Sequence, residues 1–120
     1  AAAAVAYERA LAHDADNVTA RLYLGWCLYL DGDLDGAIAA YGAVLDREED
    51  NRVARFNLAL AHLARGEVDR AKGIYAGAMD RYGAAEAGRL GVFDDLRLLV
   101  GRSVQVETAG AIISTYEVQP

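Results

Sequence analysis

Apolar side chains recur at three- and four-residue spacing in successive blocks of this chain, and each block stops at Gly, Asp or Asn. That period belongs to helices with one buried stripe. It predicts helices over Ala2–His13, Val18–Leu30, Leu34–Arg47, Arg52–Ala64 and Val68–Tyr82. Pro120 is the only proline, so ring sterics break none of them. Asn17, Asp33 and Asn51 stand where a side chain must cap the first turn. Gly32 and Gly66 stand where a left-handed residue closes a helix.

After about residue 85 the pattern loosens. Residues 85–100 carry Leu90, Phe93, Leu96, Leu99 and Val100 and read as one helix ended by Gly101. Residues 104–116 keep a helical stripe through Val106, Ala109, Ile112, Ile113 and Tyr116. β-Branched residues at 104, 106, 108, 112, 113 and 115 leave a strand as the alternative there. A closing helix is preferred, because an array of helices needs its last open face covered.

A shift of 34 residues superposes the chain on itself: Leu24 on Leu58, Gly32 on Gly66, Ala37 on Ala71, Tyr41 on Tyr75. Asn17/Asn51, Ala20/Ala54, Arg21/Arg55, Asp35/Asp69, Asp46/Asp80 and Arg47/Arg81 fall in the same register. One helix-turn-helix per repeat of this length predicts a solenoid, an architecture used mostly for binding. Small Ala37, Ala71 and Gly25 let paired helices approach, and Tyr41 and Tyr75 fill the space between hairpins.

These residues resemble the tetratricopeptide repeat, W-x2-L-G-x2-Y followed by G, A-x3-F/Y, A and P. Residues 18–51 place Leu24, Gly25, Leu28, Gly32, Ala37, Tyr41 and Val44 in its slots. Residues 52–85 place Leu58, Ala59, His62, Gly66, Ala71, Tyr75 and Ala78. Ala3, Tyr7 and Ala10 match the second helix of an earlier unit. Departures are Arg21 and Arg55 in the Trp slot, and Ala15, Glu49 and Gly83 in the Pro slot. The resemblance implies one all-α domain over 1–120, a right-handed superhelical array of antiparallel helix pairs with about two and a half to three repeats. Its divisions are a partial repeat at 1–17, repeats at 18–51 and 52–85, and a degenerate repeat or C-terminal cap at 86–120.

The resemblance also implies a site. The first helix of each pair lines the groove of such an array, and residues 20–30 are apolar on every face except at Arg21. Tyr23, Trp26, Tyr29 and Leu30 fall off the stripe that meets the partner helix. Phe56, Asn57, Leu60 and Leu63, then Leu90, Asp94 and Arg97, continue that surface. Aromatic side chains with polar tips suit an interface. The expected role is therefore a non-catalytic scaffold binding a protein or peptide in an apolar, aromatic groove. Some family members hold a C-terminal carboxylate with Lys, Arg and Asn, but the matching slots here are Leu22, Trp26, Asn57, Ala87 and Gly91, which favours a mainly apolar ligand. The inner face of the first helix lacks its partner, which implies either upstream repeats in the full protein or another chain; the alternative role is therefore self-association of a larger repeat protein.

Charge and candidate chemistry narrow this further. A net charge of −6 disfavours nucleic acid and anionic membranes. Charges interrupt every apolar stretch before spanning length, so no membrane insertion is expected. No basic segment precedes the first apolar residues, which disfavours a signal peptide, and a start at Ala1 rather than Met reads as a fragment of a longer chain. A cytoplasmic location is the expectation. Asp31, Asp33, Asp35 and Gly36 imitate the start of a calcium loop, but Gly42 stands where a bidentate Glu is required. Asn17-Val18-Thr19 imitates a glycosylation site, although capping accounts for Asn17 and Asn51 alike. His13 and His62 have no nucleophile or acid pattern beside them, Cys27 sits on the core stripe, and the acidic residues at 48–50 read as a solvated turn. No cofactor, metal or catalytic residue is expected.

Overall fold

The structure, a computed structural model, describes residues 2–117; the last residues of the 86–120 segment, 118–120, lie outside it. Helices α1 (Ala2–His13), α2 (Val18–Leu30), α3 (Leu34–Arg47), α4 (Arg52–Ala64) and α5 (Val68–Tyr82) keep the predicted bounds. The single helix expected over 85–100 is instead two, α6 (Ala84–Arg89) and α7 (Val92–Gly101). Gly91 breaks it by adopting φ +80°, with its amide bonded to the Gly88 carbonyl at 3.2 Å. Such a φ suits glycine, and the apolar stripe runs on across the break, so periodicity alone does not reveal it. Residues Val106–Tyr116 form α8, and no strand occurs among the described residues.

Local chemistry explains the regular part. Asn17 and Asn51 accept from the Ala20 and Ala54 amides at 3.0 Å, and Asp33 accepts from Gly36 at 2.9 Å. Gly32 and Gly66 take φ +85° and +95°. At the first of these turns Gly32 N–H bonds Tyr29 and Asp33 N–H bonds Leu28, a Schellman pair that satisfies carbonyls of α2. Asp33 thus closes one helix and caps the next. Asp35 pairs with Arg65 at 2.5 Å, so the three aspartates of the apparent calcium loop are spread along a turn and a helix.

The two arginines in the Trp slot have a repeated task. Arg21 donates to the Ala15 carbonyl at 2.8 Å, and Arg55 donates to the Glu49 carbonyl at 2.7 Å. Arg47 pairs with Asp16, and Arg81 pairs with Asp50, again one repeat apart. The arginines in the Trp slot therefore recur as a contact between a helix and the loop before it.

Packing follows the hairpins: α2 on α3, α4 on α5, with α1 on α2 and α3 on α4 between them. α7 pairs with α8 and also meets α4. The resulting body measures 43 × 28 × 26 Å. Tyr41, Tyr75, Leu60, Leu63, Leu96 and Val44 are its largest enclosed side chains. A Cβ on Gly25 would meet the Tyr41 ring at 2.8 Å, so glycine there permits the approach of α2 to α3.

Candidate functional site

α2, α4 and α7 are neighbouring first helices of their pairs, and their adjoining faces frame a groove with two compartments. One, about 270 Å³, is lined by Thr19, Leu22, Tyr23, Trp26, Val53 and Asn57. The other, about 200 Å³, is lined by Trp26, Val53, Phe56, Asn57, Leu90, Val92 and Asp95. Trp26, Val53 and Asn57 border both, so the compartments adjoin along a shared wall.

The residues singled out by sequence are distributed unevenly around this groove. Tyr23 is 53 % exposed and stacks on Tyr7 of α1, with ring centroids 5.4 Å apart. Trp26 stacks on Tyr29 at 5.2 Å, and Tyr29 lies buried behind it. Leu30 is exposed at the end of α2, outside both compartments. Phe56 contributes to the lining but is largely enclosed, with Tyr75 and Tyr82 at 6.5 and 6.1 Å. Leu60 and Leu63 lie in the core. Helix α7 packs on α4, and its Leu96 and Leu99 join the same buried cluster. Asp94 pairs with Arg97 at 3.0 Å, and Arg97 also pairs with Glu117; neither lines the groove.

Val53, Val92 and Asp95 line the groove without having been expected there. Asp95 replaces Asp94 because the break at Gly91 resets the helical register between Leu90 and α7. The glycines at 88 and 91 are the signal in the sequence that would have located this break.

The electrostatics of the groove centre on Asp95. Burial, and then the neighbouring Asp94 charge, push its carboxyl up to about 6. Among the described residues it has no ion pair and no side-chain hydrogen bond. Burial likewise raises the Tyr29 phenol, Asp95 adding to it and Arg102 opposing it. Deeper in, the Tyr41 hydroxyl is enclosed with no hydrogen bond of normal geometry. Burial raises its pKa far above the ordinary phenol value, and the nearby Asn57 side chain offsets only part of that.

A larger cleft, about 500 Å³, lies between α5 and α8. Tyr75, Ala76, Ala111 and Ile112 line it, with Lys72 and Glu107 also on its border. It marks where α8 leans on α7 and touches α5 only lightly. The groove between α2, α4 and α7 carries the stacked Trp26 and Tyr29 rings and the half-buried Asp95 carboxylate.

Other candidates resolve into structural roles. His62 is buried and its Nδ1 lies 3.2 Å from Glu67 Oε1. That bond, reinforced by Arg65 and Arg70, holds the Glu67 carboxyl below its ordinary value. Cys27 is half-buried. Among the described residues no three His, Cys, Asp or Glu side chains gather to hold a metal, and no helix is long and apolar enough to cross a membrane.

Two family models, both described as tetratricopeptide repeat, match residues 28–90 and 1–47. No curated protein and no solved structure gives a match. Repeats of this kind generally serve as scaffolds that bind protein partners. Helix pairs recurring in a 34-residue register, together with matches to that repeat from residue 1 to residue 90, mean that the chain belongs to the tetratricopeptide repeat family.

Proposed function

We propose that this chain is a non-catalytic module that holds an apolar protein or peptide segment in the groove between α2, α4 and α7. The observation that carries this reading is the position of Trp26 in the shared wall of both compartments, with Val53 and Asn57 beside it. An indole offers a large apolar face at low entropic cost, and Asn57 can both donate to and accept from a peptide backbone. Tyr23 extends the surface towards α1, while Tyr29 and Phe56 support it from behind. Selection of random displayed peptides on the domain supplies the ligand for a test. Trp26→Ala is expected to weaken the selected peptides about thirtyfold, the loss of an anchor worth about 2 kcal/mol. Far-ultraviolet dichroism should stay unchanged. Equal affinity for the substituted and unsubstituted domain would reject the reading.

A second reading, self-association through α1, is favoured by one comparison. Ala37, Tyr41 and Val44 of α3 are fully buried, and Ala71, Tyr75 and Ala78 of α5 nearly so. The same slots in α1 hold Ala3, which is exposed, and Tyr7 and Ala10, which are half-buried.

A further inference from the structure

Among the described residues, Asp95 is the only charged side chain lining either compartment of the groove. Arg97 of α7 and Arg52 of α4 are engaged elsewhere. Arg97 is held by Asp94 and Glu117, and Arg52 by Glu86. Arg102 acts on Tyr29 but forms no ion pair with Asp95. A carboxylate half-withdrawn from water with no counter-charge opposes folding. The positive end of α7 favours acids in its first turn, and exposed Asp94 already uses that position. Helix chemistry alone therefore does not call for a second acid turned into a cleft.

We propose that Asp95 receives one lysine or arginine side chain of the segment bound in the groove. This rests on the groove being the binding surface. Three features of the compartment suit a cationic head. The carboxylate supplies the counter-charge. The Trp26 indole in the same wall attracts cations through its ring face. The Asn57 amide oxygen can accept from an ammonium or guanidinium. The volume of about 200 Å³ can take one side chain of the bound segment. The bound segment is thus apolar along most of its length, with one basic residue at a fixed position.

The test uses random displayed peptides selected in parallel on the unsubstituted domain, Asp95→Asn and Asp94→Asn. Peptides from the unsubstituted domain should share a lysine or arginine at one position among apolar residues. Replacing that residue by norleucine should weaken binding at least tenfold, read from the fluorescence of Trp26, the only tryptophan. Asp95→Asn should bind the basic and norleucine peptides within about twofold of each other. Asp94→Asn removes the same net charge from an exposed neighbour and should leave the preference intact, which separates a specific contact from general attraction to an acidic protein. Equal affinity of the basic and norleucine peptides for the unsubstituted domain overturns this proposal and leaves the groove reading standing. An equal loss of preference in both Asp variants also overturns it. Failure to select any peptide whose binding depends on Trp26 overturns both readings.

Discussion

At the scale of single residues, Asp95 is pulled in opposite directions by folding and by recognition. Its carboxyl is pushed from an ordinary 3.8 to about 6 in the folded chain, mainly by burial. The fold therefore favours the protonated form. The sign follows: the stabilising difference is fully present below about pH 3.8 and is lost as pH rises through about 6. The side chain keeps partial access to water, so screening reduces the effect to about 1 kcal/mol. Asp95→Asn is expected to raise stability in urea by about that amount near neutral pH, and by nearly nothing near pH 4. A variant that is less stable at neutral pH, or equally shifted at both, would show that the carboxylate is not the destabilising element. A substitution that strengthens the fold while erasing a preference for basic peptides is the pattern expected of a functional residue held against the interest of stability.

At the scale of elements, the turns decide what the sequence makes legible. Helices α2, α3 and α4 were readable because Asn17, Asp33 and Asn51 cap their first turns, and left-handed Gly32 and Gly66 follow α2 and α4. The turn between α7 and α8 hides itself. Adding one repeat to Gly66 points to residue 100, yet the left-handed residue there is Ser103, at φ 59°, with Gln105 also left-handed at φ 48°. Neither residue advertises a turn, and the displacement by three positions is why the register fails in this part of the chain. The groove was legible to the same extent. Trp26 and Asn57 follow from the regular helices, whereas exchanging Asp95 for Asp94 required knowing about the Gly91 break. Leu60 and Leu63 were expected at the surface because nothing in the sequence states that α7 folds down onto α4. Left-handed backbone costs an L-residue about 1–2 kcal/mol. Ser103→Gly is therefore expected to stabilise the domain by about 1 kcal/mol, offset slightly by the added freedom of the unfolded chain. Thermal unfolding should shift upward; a lower midpoint would mean that the serine side chain contributes more than the backbone strain removes.

At the scale of the whole molecule, the two ends of the array differ. The α7–α8 pair covers one side of α4 and α5, but α1 covers α2 and, among the described residues, no helix takes the position that α2 occupies for α3. The repeat register states what that position requires. In the α2–α3 pair Gly25 faces the Tyr41 ring, and in the α4–α5 pair Ala59 and Tyr75 hold the same repeat slots and are buried. On α1 the tyrosine of that slot, Tyr7, is instead half-exposed and stacks sideways on Tyr23. Ala3, Ala6 and Ala10 make the rest of the helix thin enough for a second helix to lie close. If a second copy of this chain supplies it, a self-complementary contact closes at two subunits. The mass by light scattering should then rise with concentration from 12.8 kDa towards twice that value and no further. Ala3→Arg places a long charged side chain in the exposed slot, clear of the intramolecular core, and should return the molecule to a monomer with its helical dichroism intact. A mass independent of concentration for the unsubstituted chain rejects self-association. A mass that rises equally with and without the arginine places the contact on another face. Either result leaves the groove between α2, α4 and α7 unaffected, because α1 supplies no side chain to its lining.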